Sequence, residues 1–259
     1  MRLSLQIMMT SILTLLLSCN DIHETQITDG SMESTISLGA TVSYKKVNDI
    51  RKNDLVVFQI PNNSKILCLR VVGLPGDKIE IKKGQLQVND KKYDLVPTAN
   101  QIYTVFSKEK DNFSKLYKFN YKHYSSNYGM VCVNKSQFNE IISDKLIDSI
   151  YPLGFGPEDK FPGIVDVSTS KGFNHYYFGP IYIPKVGEMI YAKDKMLTNA
   201  FLRFNSDSIK VHDDLLFCIG DSFSDAMDSR IIGLIPKEKI LGKVIKIKNV
   251  KAIEVGQLH

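Results

Sequence analysis

The residues able to do chemistry fall in three short stretches. Ser31 lies in Gly30-Ser-Met-Glu-Ser-Thr35, where a serine following a glycine is a candidate nucleophile. Arg70-Val-Val-Gly-Leu-Pro-Gly-Asp77 and Gly220-Asp-Ser-Phe-Ser-Asp-Ala-Met-Asp-Ser-Arg230 supply an arginine, several carboxylates and tight glycine turns. A serine hydroxyl attacks a carbonyl poorly until a neighbouring base removes its proton. Lysine can be that base near neutral pH only where burial strips water from its ammonium and depresses its pKa. The developing oxyanion also needs donors, such as a backbone N–H and a nearby hydroxyl. Leu69 stands directly before Arg70, and Ala226 two residues before Asp228.

In this order and spacing the three stretches resemble the bacterial type I signal peptidases, as do Phe178-Gly-Pro-Ile-Tyr-Ile-Pro-Lys185 and Ile235-Pro-Lys-Glu-Lys-Ile-Leu-Gly-Lys243. The resemblance covers nearly all of the chain beyond residue 29. It implies a mainly β fold, an antiparallel catalytic domain with an inserted α+β second domain. It also implies a serine endopeptidase that removes signal peptides from exported precursors, without a cofactor. Such enzymes bind extended substrate as an added strand, with small pockets for alternate side chains.

Mapped residue by residue, Ser31 matches the nucleophile and Met32 the residue packed behind it. The general-base lysine belongs where Leu69 stands, and the hydroxyl that steadies it belongs where Ala226 stands. Asp29 occupies the place of an oxyanion-hole hydroxyl, and its carboxylate would repel negative charge if it pointed inward. Arg70, Asp221, Asp228 and Arg230 match the scaffold around the site, Asp228 and Arg230 pairing with each other or with Asp221. The two apolar replacements agree, since together they avoid burying an unpaired amine or hydroxyl. Loss of the base costs serine hydrolases on the order of 10⁴ to 10⁶ in rate. The expectation is impaired proteolysis with retained binding of extended polypeptide; the alternative is an active peptidase with a relocated base. Lys65, on the same strand face, is about 13 Å from Leu69 at 3.3 Å per residue. His212 reads as a strand-end surface residue, and His23, His123, His175 and His259 fall in tether, insertion and tail.

The elements that must hold these residues read mostly as short strands. Thr41–Tyr44, Leu55–Ile60 and Ile66–Val72 alternate with polar turns, and Lys78–Lys82 and Gln85–Val88 form a hairpin about Lys83-Gly84. Gly179–Pro184, Leu215–Ile219 and Gly242–Ile247 close the core. Between residues 93 and 178 the composition turns to Tyr, Lys, Asn and Ser, marking the insertion. There Asn134-Lys-Ser-Gln137 opens a helix whose apolar face carries Phe138, Ile141, Ile142, Leu146 and Ile150. The core is thus expected at 30–92 and 179–259.

The N-terminus has a positive start at Arg2 and an apolar run from Ile7 to Leu17. Leu16-Leu-Ser-Cys19 then resembles a bacterial lipobox. Residues 1–18 are read as a lipoprotein signal peptide or short membrane anchor, Cys19 as the lipidation site, and residues 19–29 as a polar tether. Both readings hold the domain on the outer side of the cytoplasmic membrane. Cys68, Cys132 and Cys218 remain, with no C-x-x-C spacing for zinc or redox chemistry; Cys68 and Cys218, in apolar runs, read as buried thiols. The 259-residue chain carries a mild formal charge of +5 with no arginine-rich run, which disfavours nucleic acid. The partners expected are extended polypeptide or signal-peptide segments, the membrane, and an active signal peptidase.

Overall fold

The computed structural model describes residues 22–61, 65–108, 114–119, 121–125, 127–153, 156, 158–159, 173–191, 207–224 and 226–249. Its strands are β1 (Ile22–Gln26), β2 (Thr41–Lys45), β3 (Leu55–Gln59), β4 (Ile66–Gly73), β5 (Lys78–Lys82), β6 (Gln85–Val88) and β7 (Lys91–Lys92). There follow β8 (Gln101–Ser107), β9 (Tyr121–Ser125), β10 (Tyr128–Val133), helix α1 (Lys135–Ile142) and β11 (Ile147–Pro152). The chain returns through β12 (Phe178–Tyr182), β13 (Met189–Tyr191), β14 (Ser208–Lys210) and β15 (Leu215–Ile219). Helix α2 (Ser229–Ile232), β16 (Ile235–Pro236) and β17 (Ile240–Lys248) complete it.

A seven-stranded sheet runs β1-β2-β17-β3-β4-β15-β16, and all its pairs are antiparallel. Strand β4 lies inside it between β3 and β15, with eight residues of which all but Ile66 are buried. One apolar cluster gathers Leu67, Leu69 and Val71 with Met32, Ile36, Val57, Phe58 and Cys218. A second sheet, β12-β5-β6-β7, packs Ile79, Ile81, Leu86 and Phe178 against Phe217 and Phe223 in another. The β5–β6 hairpin turns at Lys83 (φ 51°) and Gly84 (φ 73°), the left-handed pair that a two-residue turn requires.

Between β7 and β12 the chain builds a separate antiparallel sheet, β11-β8-β10-β9. Helix α1 lies on one face, where Phe138 and Ile141 meet Tyr103, Val105, Val131 and Val133. The capping box forms as the sequence indicates, Asn134 accepting from the Gln137 N–H and Gln137 from the Asn134 N–H.

Two expectations are corrected. Residues 19–29 are not a tether throughout, because Ile22–Gln26 is an edge strand paired with β2, and Ile27 and Asp29 are buried. The amphipathic helix ends at Ile142 and does not reach Leu146 or Ile150. Asp144 turns the chain, its carboxylate accepting from the Leu146 N–H, and Ile150 lies in β11. The lipobox, Cys19 and His259 lie outside the described residues. Cys68 and Cys218 are buried thiols, and burial pushes the Cys68 pKa up to about 12.

Candidate active site

Ser31 sits in a single 3-10 turn, Gly30–Met32, that follows β1 and packs against β4. The sequence Asp29-Gly-Ser dictates the local geometry, because a short carboxylate can accept from the backbone two residues on. Asp29 Oδ1 accepts the Ser31 N–H at 2.8 Å, and the other oxygen of the carboxylate pairs with Lys65 Nζ at 3.0 Å. Ser31 is only 2% exposed. Its Oγ accepts a hydrogen bond from the Met227 N–H at 2.9 Å, and its carbonyl accepts one from Ser222 N–H at 2.9 Å. Met32 Sδ receives the Asp221 N–H at 3.3 Å, so the turn and the 220–228 loop are stitched by three contacts.

Gly220 makes that approach possible. A β-carbon there would collide with the Ser31 carbonyl oxygen and the Ala226 methyl. Gly220 also lies one step beyond the Ile219–Arg70 pair of β15 and β4, which sets it alongside Leu69. The Ser31 turn, Leu69 of β4 and the loop carrying Gly220 and Ala226 therefore come together from three separate parts of the chain. Leu69 is fully buried, in one cluster with Met32, and Ala226 is 1% exposed. Both present hydrocarbon. Neither can take a proton, and the Met227 amide beside Ser31 Oγ is a donor.

Two buried ion pairs frame this group. Arg70 grips Asp221 through Nε at 2.9 Å and a terminal nitrogen at 2.7 Å. Asp221 also accepts from the Thr35 hydroxyl at 2.5 Å. Asp228 and Arg230 pair with each other, at 2.9 and 2.6 Å, and not with Asp221. Asp228 also accepts from Gly220 N–H at 3.1 Å, which fixes the loop's first residue to its last turn. Arg230, with no exposed surface, lies 4.3 Å over the Phe223 ring and donates to the carbonyls of Phe223 and His175. Charge-assisted forks of this kind repay desolvation through their multiple hydrogen bonds.

The loop is also tied to the region between β7 and β12. Ser224 Oγ accepts the Ile102 N–H at 2.9 Å and meets the Tyr176 hydroxyl at 2.7 Å. Tyr176 donates in turn to the Ile102 carbonyl at 2.9 Å, and the backbone of Asn100 bonds Asp221 and Phe223. Burial raises the Tyr176 phenol to about 12. His175 is buried beside Arg230; burial first, then that positive charge, holds its pKa down at about 4.

His212 is exposed and precedes β15, whereas Gly220 follows it; the five residues of β15 separate them by roughly 16 Å or more at 3.3 Å per residue. The Lys65–Asp29 pair is not foreseeable from the Lys65-to-Leu69 spacing, because the lysine reaches across to the turn before Ser31 and not along its own strand. Sequence reasoning also misses the Asp29 cap on the Ser31 amide, for which the Asp-Gly-Ser spacing is the available signal.

The family model described as "Signal peptidase, peptidase S26" matches residues 1–247. A Signal peptidase I from Buchnera aphidicola subsp. Schizaphis graminum is 29% identical over 248 residues, covering 86% of this chain and 66% of the relative. A Signal peptidase I from the Baizongia pistaciae subspecies is 26% identical over 208 residues, 78% of this chain and 56% of that one. Signal peptidase IB of Staphylococcus aureus is 38% identical over 68 residues, 25% of this chain and 35% of its own. The chain thus spans 66% or less of the length of these curated relatives. The crystal structure of a signal peptidase I from Enterococcus faecalis V583 aligns with 14% identity and a TM-score of 0.34, over 78% of this chain and 100% of that one.

Proposed function

This chain belongs to the peptidase S26 signal peptidase family, and from that premise we propose that it is a signal-peptidase-like protein whose proteolytic chemistry is crippled while its peptide-binding frame is kept. The observation that supports the reading is Leu69, fully buried in hydrocarbon where the motif resemblance puts the family's base lysine, with buried Ala226 where it puts that lysine's hydroxyl partner. The Asp29 carboxylate adds a second obstacle. It engages the Ser31 N–H, which an oxyanion would need, and brings negative charge to the place where negative charge would develop. The arginine–aspartate pairs that shape the site remain in place.

In this role the protein binds extended signal-peptide segments of exported precursors and assists or regulates an active signal peptidase. Lipidation of Cys19 anchors it outside the cytoplasmic membrane; several acyl chains on one residue suffice for stable attachment. Among the described residues no helix is long and apolar enough to cross a membrane.

The test offers the full chain, in detergent, a signal-peptide-bearing precursor and compares cleavage with that by Ser31→Ala. No Ser31-dependent product is expected, together with saturable binding of a fluorescent signal-peptide segment by both proteins. Turnover that disappears in Ser31→Ala would overturn the reading and establish an active peptidase with a relocated base.

A further inference from the structure

The sheet between β7 and β12 has one face covered by α1 and a second face bearing a row of aromatic rings. Each strand contributes one ring, in sheet order: Tyr151 from β11, Phe106 from β8, Tyr128 from β10 and Tyr124 from β9. Successive centroids are 6.3, 5.7 and 6.1 Å apart, and the Tyr124 and Tyr128 planes differ by 5°. Tyr151 is 57% exposed, Tyr124 44% and Tyr128 36%. Cross-strand aromatic pairs stabilise a sheet, but four rings in unbroken succession with three of them this open form a continuous surface.

The composition around them narrows the partner. Of the chain's 12 Tyr and 13 Phe, 17 fall within residues 93–178. The same residues hold nine lysines, no arginine, and nine aspartates or glutamates, for a net charge of zero. Anionic lipid and nucleic acid are bound by clusters of positive charge, and such an excess is absent here. Beside the rings, Thr104 and Ser149 share the face, and Lys122 lies 5.4 Å over the Tyr124 ring. Among the described residues, aromatic faces flanked by the Thr104 and Ser149 hydroxyls, the Met130 side chain and the Lys122 ammonium suit a ligand with an apolar face and a hydroxyl-rich edge, without charge.

We propose that this aromatic row is a binding platform for an uncharged polysaccharide. Pyranose rings would stack their C–H faces on Tyr151, Phe106, Tyr128 and Tyr124, and Thr104, Ser149 and Lys122 would meet their hydroxyls. The row runs across all four strands, so a chain of sugars fits it better than one sugar. The site is separate from Ser31 and stands whether or not the protein cleaves peptides.

The chain has no tryptophan, so tyrosine emission of the full protein in detergent reports directly on such stacking. Titration uses β-1,4-linked oligomers of glucose and of N-acetylglucosamine, from one to six units. Affinity for at least one series should rise with length and level off near four units. Tyr128→Ala with Tyr151→Ala should weaken the hexamer at least tenfold, while Tyr128→Phe keeps it within about threefold, with near-native thermal melting in each variant. Absence of binding to both hexamers, or hexamer affinity undiminished in the double alanine variant, would overturn the proposal. So would ring-dependent binding of a proline-rich peptide alone, which would assign the platform to polypeptide.

Discussion

At Ser31 the question is which groups can change its protonation and stabilise negative charge beside it. Its amide is held by Asp29, its oxygen receives the Met227 amide, and the buried Leu69 and Ala226 nearby in the fold carry no polar group. Replacing Leu69 by lysine alone should destabilise the protein by several kcal/mol, since a buried ammonium without a partner carries its full desolvation cost. Adding Ala226→Ser supplies a hydrogen bond and should recover about 1 kcal/mol of this, measured by urea denaturation. The pair should create Ser31-dependent cleavage of a precursor. Adding Asp29→Ser should raise that rate a further tenfold or more by freeing the Ser31 N–H, on the scale of one oxyanion donor. An unchanged rate on adding Asp29→Ser would show that the carboxylate is no obstacle. Arg230→Met, which leaves Asp228 buried and unpaired, should cost about 3–5 kcal/mol. The candidate site was legible in sequence as a set of residue types, including the hydrocarbon at 69 and 226. The contacts of Asp29 and Lys65 were not, because a side chain's reach across a turn depends on strand register, which alternation alone leaves open.

Among the elements, those with a continuous apolar run, strict alternation or a defined cap were readable in advance: β3, β4 and β15 by the first, the β5–β6 hairpin by the second and the start of α1 by the third. Those that failed lacked such a signal. Strand β1 is polar because it is an edge strand with exposed side chains, so its composition matched a tether. The α1 pattern ran on in sequence because Leu146 and Ile150 keep helical spacing, yet Ser143 and Asp144 favour a turn and β11 then pairs with β8. The 220–228 loop depends on a residue without a side chain: Gly220→Ala must push apart the Ser31 carbonyl and the Ala226 methyl. That overpacking should cost about 1–3 kcal/mol, with a matching fall in thermal midpoint. If the melting temperature does not move, the close approach of turn and loop is not as tight as described.

For the whole molecule, the clearest pH dependence comes from His175. Its folded pKa of about 4 lies below the ordinary value of 6.5, so between these values the unfolded chain binds the extra proton. Stability from this group is therefore complete above pH 6.5 and falls as pH drops toward 4, by up to about 3 kcal/mol. His175→Asn should flatten that slope in denaturation curves taken across this range; an equally steep slope in the variant would assign it to other groups. At the N-terminus, the membrane fraction and intact mass of wild type should both differ from those of Cys19→Ala by the loss of acyl groups. Identical masses would remove lipidation from the reading.

The knot of Ser224, Tyr176 and Ile102 binds the two parts of the chain at one seam. A sheet that began to unravel on the far side would first have to surrender the hydroxyl that anchors the segment beside Ser31. Opening on either side is thus a shared event: amide protons at Ile102, Asn100 and Phe223 should exchange with deuterium at a common rate. Whatever clasps the outer sheet would also slow the loosening of the pocket.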